Sequence, residues 1–311
     1  MKFINIVALF LLIINGGNSL AFAGGENPKR LQQKHTLQKI VIDAGHGGSS
    51  SVAGKFYGAS SKFGEEKDVT LAIALKLQDA MKEEMPEVEV YMTRTTDVFD
   101  HVVTKAKKAN TAKGDLFISI HCNDVSSITH HEVVGYTTKT VKRRGKKITK
   151  KIPQYRTWTT PNPAKGTETY IWGVGKTKDK EDALIENDFV DTTSGVLKDF
   201  DPNDPAQKVA ISLRTEQYAE RSRNLALTVE DEFVKSGRVS RGAKQRDEKG
   251  IWVLQAVAMP AILIEVGFLS NQEEGEYITS ESGQKEIAEA IVKALKRYKY
   301  SLDNKLSGGK S

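Results

Sequence analysis

Cysteine is almost missing from this chain of 311 residues, whose single thiol is Cys122. One cysteine excludes an intramolecular disulfide framework and a zinc site built on cysteine ligands. Any bound metal is therefore expected on His, Asp or Glu side chains. Cys122 follows a predicted strand, where it is either a nucleophile or a small buried residue, and we favour the buried residue.

Long apolar runs are also missing, since the main apolar stretch covers only residues 3–14 and is short for a membrane span. This stretch follows the basic Lys2 and precedes Ala21-Phe22-Ala23. The pattern predicts a cleaved secretory signal at 1–23 and a linker at 24–38. We therefore expect a protein exported to the periplasm or cell envelope, or secreted, without a membrane span after cleavage. An uncleaved membrane anchor is the alternative.

Acidic residues are fewer than basic ones, 40 against 46, which leaves a net charge of +6. A positive chain suits an anionic polymer such as a cell wall, but also nucleic acid or acidic lipid, so charge alone does not choose. Basic residues concentrate at 139–151, within a predicted exposed insertion at 127–165. This run is either a solvated loop or a contact with acidic wall polymer or a partner. The adjacent His130 and His131 are either exposed or a second metal site.

Short apolar runs alternate with longer helical patterns along the chain. Helical stripes include Val69 to Met81, Tyr218 to Phe233 and Ile287 to Tyr298. The predicted strands are 39–43, 88–92, 116–121, 167–172 and 261–266. This order predicts an α/β, three-layer sandwich with a mainly parallel central sheet flanked by helices. We place one domain at 39–300, a second, acidic insertion at 176–205 and a frayed tail at 301–311.

Histidines follow two of the predicted strands, and carboxylates complete a possible metal site. His46 lies in a glycine-rich turn that lacks the Lys-Ser/Thr of a phosphate-binding loop, and His121 ends a second strand. Parallel strands bring their carboxyl ends together. Glu265 interrupts an apolar strand, which is costly unless it is paired or functional. Glu65 and Glu66 begin a helix, where acidic residues are favoured without any further role. Two histidines, one carboxylate and a catalytic glutamate are typical of a hydrolytic zinc site.

Five ordered motifs, spread over about 39–298, carry a resemblance to a known family. They are Lys39-Ile40-Val41-Ile42-Asp43-Ala44-Gly45-His46-Gly47-Gly48, Glu66-Lys67-Asp68-Val69-Thr70-Leu71, Thr93-Arg94-Thr95-Thr96-Asp97, Ser119-Ile120-His121-Cys122-Asn123 and Ile264-Glu265-Val266-Gly267-Phe268-Leu269-Ser270-Asn271. In these motifs the chain resembles the zinc-dependent N-acetylmuramoyl-L-alanine amidases of the type-3, cell-division-like class.

The resemblance implies Zn²⁺ held by His46, Glu66 and His121, with Glu265 as the catalytic acid/base. It selects Glu66 over Glu65, which spacing alone leaves open. Two residues depart from the family pattern at positions that are not ligands. Lys105 stands where Arg is common, and Cys122 stands where Ala is common.

The activity implied is hydrolysis of the amide bond between N-acetylmuramic acid and L-alanine in peptidoglycan, in wall remodelling or daughter-cell separation. The partner implied is peptidoglycan, not nucleic acid. The alternatives are an inactive peptidoglycan-binding or activator module, and a zinc peptidase or deacetylase with another substrate. Division-type relatives carry a regulatory insertion where 176–205 lies, and Glu186-Asn187 stand in a matching context. Glu186 is therefore either an autoinhibitory zinc contact, relieved by an activator protein, or a solvated residue.

Overall fold

A six-stranded sheet forms the centre of the protein in the computed structural model, which describes residues 37–48, 57–143, 146–189, 200–246 and 250–307. The predicted secretory signal, nearly all of the linker and Gly195 of the acidic insertion lie outside these ranges. Within them, no helix combines the length and the apolar content needed to cross a membrane.

Ten strands and seven helices make up the described chain. The strands are β1 (Lys39–Ala44), β2 (Ser60–Ser61), β3 (Gly64–Glu65), β4 (Glu89–Met92), β5 (Leu116–Asn123), β6 (Ile128–Arg143), β7 (Lys146–Thr160), β8 (Thr167–Ile171), β9 (Ser240–Gln245) and β10 (Ala261–Phe268). The helices are α1 (Glu66–Glu84), α2 (Val102–Ala112), α3 (Thr177–Phe189), α4 (Pro205–Lys235), α5 (Trp252–Ala256), α6 (Gln272–Thr279) and α7 (Glu281–Ser307).

The central sheet has the order β4-β1-β5-β10-β8-β9 and is mainly parallel. The strands β4, β1, β5 and β10 run in one direction, whereas β8 pairs antiparallel with β10 and β9 pairs parallel with β8. The prediction of a mainly parallel sheet flanked by helices is confirmed. The five predicted strands are all present in this sheet. The sixth strand, β9, is not predicted by the sequence, because Ser240–Gln245 is polar and carries no apolar alternation.

Side chains of the central strands alternate between two apolar layers, which explains why both sides need helices. Ile40 and Ile42 face a layer that also contains apolar residues of α1, α4 and α7. Val41 and Phe117 face the other layer, with residues of α2 and α5. Successive strand residues point to opposite faces, so apolar runs without alternation require burial on both faces. This pattern is what places the sheet in the middle of three layers.

The predicted insertion at 127–165 folds as a two-stranded antiparallel ribbon made of β6 and β7. The acidic insertion contributes α3, whose Lys180 is fully buried and donates to the carbonyl oxygens of Leu254, Val257 and Met259. The helix α7 continues to Ser307, so the predicted tail at 301–311 begins inside this helix. Leu302 still packs against the main apolar layer and gives this last part of α7 an interior contact.

Candidate active site

His46 lies in the tight turn that follows β1, with a backbone φ of 56° in the left-handed region. Such a conformation is uncommon for a residue with a side chain and is frequent at functional sites. The preceding Gly45 allows the turn to approach β5 closely, since a Cβ there would lie 2.6 Å from the carbonyl oxygen of Ile120 and 2.7 Å from the ring of His121. The glycine is therefore required to bring the two histidines together.

Glu66 is the first residue of α1 and is 4% exposed. Its carboxylate lies 3.1 Å from Nε2 of His46 and 3.0 Å from Nδ1 of His121. The backbone amides of Ala59 and Cys122 also donate to it, at 2.8 and 3.0 Å. Burial alone would raise the pKa of Glu66, but hydrogen bonds from the two histidines hold it well below its ordinary value. Glu66 is therefore an ionised carboxylate between two imidazoles.

The three side chains form a group that can hold a metal ion. One ligand atom from each of His46, Glu66 and His121 lies within 4.8 Å of the others. The two imidazole rings meet edge to face with their centroids 4.8 Å apart. Burial lowers the pKa of His121, but the hydrogen bond and charge of Glu66 outweigh it, so the net shift is upward. Among the described residues, no other such group of His, Cys, Asp and Glu exists.

Glu265 supplies a second carboxylate beside this group. It lies on β10 directly opposite His121 of β5 in the strand register. Its Oε2 atom is buried and has no hydrogen-bond partner among the described residues. Burial, with a further contribution from the charge of Glu66, raises the pKa of Glu265 to about 7 against the opposing effect of His121. A carboxylate poised near neutral pH is suited to accept and return a proton.

Comparison with known proteins assigns the chain to a family. A family model described as N-acetylmuramoyl-L-alanine amidase matches residues 40–297. The chain belongs to this amidase family.

Individual amidases are similar over most of the chain. AmiC of Escherichia coli O6:H1, an N-acetylmuramoyl-L-alanine amidase, is 29% identical over 261 residues, which cover 83% of this chain and 52% of that protein. AmiA of Salmonella typhimurium is 22% identical and covers 92% of this chain and 84% of its own length. The chain spans about half the length of the AmiC proteins it matches.

A solved N-acetylmuramoyl-L-alanine amidase from Clostridium difficile 630 has the same fold. Its TM-score is 0.51 at 24% identity, over 85% of this chain and 97% of that one. These findings confirm the resemblance to the amidase family and the α/β fold.

A buried ion pair supports the His46 turn, and the sequence analysis did not predict this pair. Asp43, at the end of β1, lies 2.9 Å from Nζ of Lys105 and accepts hydrogen bonds from the hydroxyls of Thr93 and Ser119. Lys105 also donates to the carbonyl oxygen of Ala44 at 2.7 Å. Burial would raise the pKa of Asp43, but Lys105 and the hydroxyl donors lower it. Lys105 shares the buried face of α2 with the residue four positions on, Ala109, and this spacing is the signal that would have found it.

Arg94 ties the His46 turn to the start of α1. It donates to the carbonyl oxygens of Ala44 and Gly45 in the turn, at 3.0 and 2.8 Å, and to that of Lys67 next to Glu66, at 2.7 Å. Arg94 belongs to the motif Thr93-Arg94-Thr95-Thr96-Asp97, but the motif by itself predicts no role for it. Its contacts hold His46 and Glu66, two of the three side chains that can hold a metal ion, in position relative to each other.

Glu186 is not part of this group. It is an exposed residue of α3, and nearby Leu184 packs against Ala258. Lys180 of the same helix donates to Met259, just before β10 begins. These contacts lie at the amino end of β10, whereas Glu265 lies toward its carboxyl end. The zinc contact of Glu186 remains a prediction that this position of α3 does not satisfy.

Cys122, His130 and His131 do not form additional sites among the described residues. Cys122 is buried in the apolar layer on the opposite face of β5 from His121, and burial raises the pKa of its thiol well above the ordinary value. His130 and His131 point to opposite faces of the ribbon, where their ring nitrogens hydrogen-bond Thr160 and Thr157. Neither histidine belongs to a group able to hold a metal.

Proposed function

We propose that this protein is a zinc hydrolase that cleaves the amide bond between N-acetylmuramic acid and L-alanine in peptidoglycan. The observation that carries the proposal is the pairing of Glu265 with His121 across two parallel strands, next to the group formed by His46 and Glu66. An unpartnered buried carboxylate beside a set of metal-binding side chains matches the requirements of amide hydrolysis.

The donor set fits zinc better than it fits calcium or magnesium. Two imidazoles and one carboxylate are the kind of three-ligand set that catalytic zinc uses, whereas the two alkaline-earth ions prefer oxygen ligands alone. His46, Glu66 and His121 would hold the ion and leave one position for water or substrate. When bound, zinc supplies a Lewis acid that polarises the scissile carbonyl and lowers the pKa of a bound water to about 7.

Glu265 performs the proton transfers in this proposal. Its carboxylate accepts the proton of the attacking water and then delivers it to the amide nitrogen, which leaves poorly unless it is protonated. Burial of Oε2 without a partner keeps the group available for both transfers. The products are a glycan with a free lactyl carboxylate and a peptide with a free L-alanine amino terminus.

Two other functions are compatible with this fold. An inactive peptidoglycan-binding or activator module would be expected to lack one of the four functional residues, and all four are present. A zinc peptidase or deacetylase would use the same site on another substrate, because a site determines the class of reaction better than it determines the substrate.

Incubation of the purified, zinc-loaded chain with intact peptidoglycan tests the proposal. New lactyl carboxylates and new L-alanine amino termini, in equal amounts, are the expected products. Glu265→Gln is the matched control, with the metal retained and no new ends. Free amino groups on the sugar would instead identify a deacetylase, and cleavage inside the stem peptide would identify a peptidase. A zinc-loaded chain that binds peptidoglycan and releases nothing would be a binding module.

The cellular setting is part of the same proposal. The basic start, short apolar stretch and Ala21-Phe22-Ala23 support export by a cleaved signal to the periplasm or envelope, where wall remodelling or daughter-cell separation takes place. An activator protein acting on the 176–205 insertion would regulate hydrolysis by binding better to the displaced insertion than to the resting one. For Glu186 to contact the zinc, α3 would have to leave the position in which Lys180 meets its three carbonyl acceptors.

A further inference from the structure

The β6–β7 ribbon is an element that the catalytic proposal does not use. Its two strands pair over about fifteen residues each, which corresponds to about 50 Å of extended chain. No described residue of either strand is buried, and no other described helix or strand packs extensively against it. A two-stranded ribbon exposed on both faces is marginal by itself, so its persistence as a long arm requires an explanation.

The net positive charge of the ribbon is larger than the net charge of the whole protein. Residues 128–160 contain nine of the 46 Lys and Arg residues and one of the 40 Asp and Glu residues, so this segment carries +8 and the rest of the chain −2. Keeping an exposed ribbon soluble needs charge, but charges of both signs would serve that purpose. An excess of one sign instead indicates a binding partner of the opposite sign.

The strand register increases the electrostatic repulsion within the ribbon. It places Lys139 opposite Lys150, Lys142 opposite Lys147, and Arg143 opposite Lys146. Like charges directly opposite each other in a two-stranded sheet are destabilising. A polyanion lying along the ribbon would remove this repulsion, because its negative groups would lie between the facing cations.

Aromatic side chains accompany the charge near the base of the ribbon. The rings of His130 and Trp158 stack with their centroids 5.2 Å apart, and the guanidinium of Arg156 lies 5.4 Å from the Trp158 ring centroid. Tyr136 and Tyr155 are 65% and 57% exposed. Exposed rings beside cations provide apolar surface for sugar rings together with charge for acidic groups.

Both ends of the ribbon are attached at the end of the sheet that carries the candidate active site, where β5 and β10 finish. Its first strand follows β5, which bears His121, and its second strand leads into β8, whose Glu168 pairs with Glu265 in register. The backbone amide of Val125 donates to Ser270, and the Asn271 side chain donates to the carbonyl oxygen of Ala164. The ribbon is therefore attached at the end of the sheet where His121 and Glu265 lie.

We infer that the β6–β7 ribbon is a binding arm for the peptidoglycan strand, with its lysines and arginines on the carboxylates of the stem peptides. This inference rests on the proposed function, since it assigns the ribbon to the same substrate. Peptidoglycan combines sugar rings with repeated free carboxylates, which matches the aromatic base and the cationic outer part of the ribbon. The arm increases the local concentration of the insoluble polymer at the site without taking part in the chemistry.

Two variants with equal charge changes test the inference. The ribbon variant carries Lys142→Gln, Lys147→Gln, Lys150→Gln and Lys151→Gln. The control variant carries Lys82→Gln, Lys107→Gln, Lys285→Gln and Lys293→Gln, all at exposed helical positions elsewhere. Both are made with and without Glu265→Gln, so that binding is measured without cleavage. Because the ribbon changes remove facing like charges, they are not expected to unfold the strands.

Sedimentation with purified peptidoglycan measures the binding. We expect the ribbon variant to bind about tenfold more weakly, the control variant to bind like the unmodified chain, and raised salt to reduce the difference. Peptidoglycan whose carboxylates have been converted to amides should show no difference between the variants. On a soluble muramoyl-peptide, the ribbon variant should keep the unmodified kcat/KM, because a short substrate does not reach the arm.

Several results would overturn the inference and leave the proposed function standing. One is equal binding of peptidoglycan by the two variants. Another is peptidoglycan with amidated carboxylates that still binds the unmodified chain more tightly than the ribbon variant. A third is a ribbon variant that binds peptidoglycan normally but binds more weakly to vesicles of equal parts phosphatidylglycerol and phosphatidylcholine. This result would identify a lipid surface as the partner. Absence of cleavage of the muramoyl-peptide by the unmodified chain would instead refute the proposed function.

Discussion

Glu265 and His121 lie directly opposite each other on the neighbouring parallel strands β10 and β5. Their positions are fixed by backbone pairing in the middle of the sheet, and both side chains therefore share one face. Placement on strands gives more exact geometry than placement on loops. The pairing explains how a carboxylate without a hydrogen-bond partner among the described residues is held beside a histidine of the group that can hold a metal ion.

Replacement of Glu265 by glutamine tests its role in proton transfer. Glu265→Gln keeps the shape of the side chain and removes the group that accepts and returns the proton. We expect unchanged zinc content and a loss of at least about 100-fold in turnover. Metal analysis and hydrolysis of a soluble muramoyl-peptide measure the two quantities separately. Loss of zinc from the variant would show that Glu265 is a ligand instead.

Replacement of His46 by alanine tests the metal-binding group. The side chain of His46 is 24% exposed and lies outside the main apolar layers, so the fold should persist. We expect zinc affinity to fall by more than about 100-fold, since even outer partners of a ligand change affinity by about 10- to 100-fold. Competition with a chromogenic chelator measures the affinity. His130→Ala in the ribbon is the matched control, and an equal loss there would contradict the assignment.

Lys105 is expected to position the His46 turn. Lys105→Met leaves Asp43 buried without its counter-charge, which costs about 3–5 kcal/mol of unfolding free energy. It also removes the donor to the Ala44 carbonyl, so zinc affinity should fall with stability. Lys105→Arg keeps the positive charge and the hydrogen-bond donors and should retain both stability and zinc affinity. Urea unfolding and zinc titration provide the readouts, and a Met variant that matches the unmodified chain in both would refute this role.

Acid stability should depend on Glu168. Burial alone would raise its pKa, but hydrogen bonds from Lys244, Tyr170 and Arg241 lower it to about 2, against an ordinary value of 4.5. The folded pKa is below the unfolded one, so this stabilisation is complete above pH 4.5 and is lost as the pH falls toward 2, by up to about 3 kcal/mol.

Unfolding free energy measured between pH 2.5 and 6 tests this expectation. Glu168→Gln should flatten the dependence in that range and lower stability at neutral pH. The exposed Glu132→Gln is the control and should change neither. Identical pH profiles for Glu168→Gln and the unmodified chain would rule out the effect.

Glu186→Ala tests autoinhibition. If Glu186 contacts the zinc in the resting enzyme, the variant should hydrolyse isolated peptidoglycan faster than the unmodified chain without any partner. This result requires α3 to leave the acceptors of Lys180, because the described position puts Glu186 on the exposed surface of α3. Asp182→Ala, at another exposed position of the same helix, is the control. Equal basal rates in zinc-loaded variants would exclude Glu186 as the plug.

The sequence alone predicted the fold class, and together with the family resemblance it led to the four functional residues proposed here. Apolar strands such as β1 and β5 are long enough to specify burial on both faces, and local hydrophobic patterns are sufficient to recognise them. His46 and His121 stood at strand ends, where the carboxyl edges of parallel strands meet. The choice of Glu66 over Glu65 came from the family motif, because both residues satisfy the preference for acids at a helix start.

Only the tertiary structure revealed the contacts that join distant segments. Lys105 and Asp43 are 62 positions apart in the chain. The spacing of Lys105 and Ala109 indicates a buried face of α2, but it does not indicate that the partner of this lysine is at the end of β1. The polar strand β9 exists because β8 offers it a pairing edge. The basic run at 139–151 lies in a ribbon formed by cross-strand pairing. Repulsion between the facing cations opposes this pairing, so the charge pattern alone does not predict it. Local sequence determines what each segment can form, whereas burial and pairing with remote segments decide which of these possibilities is realised.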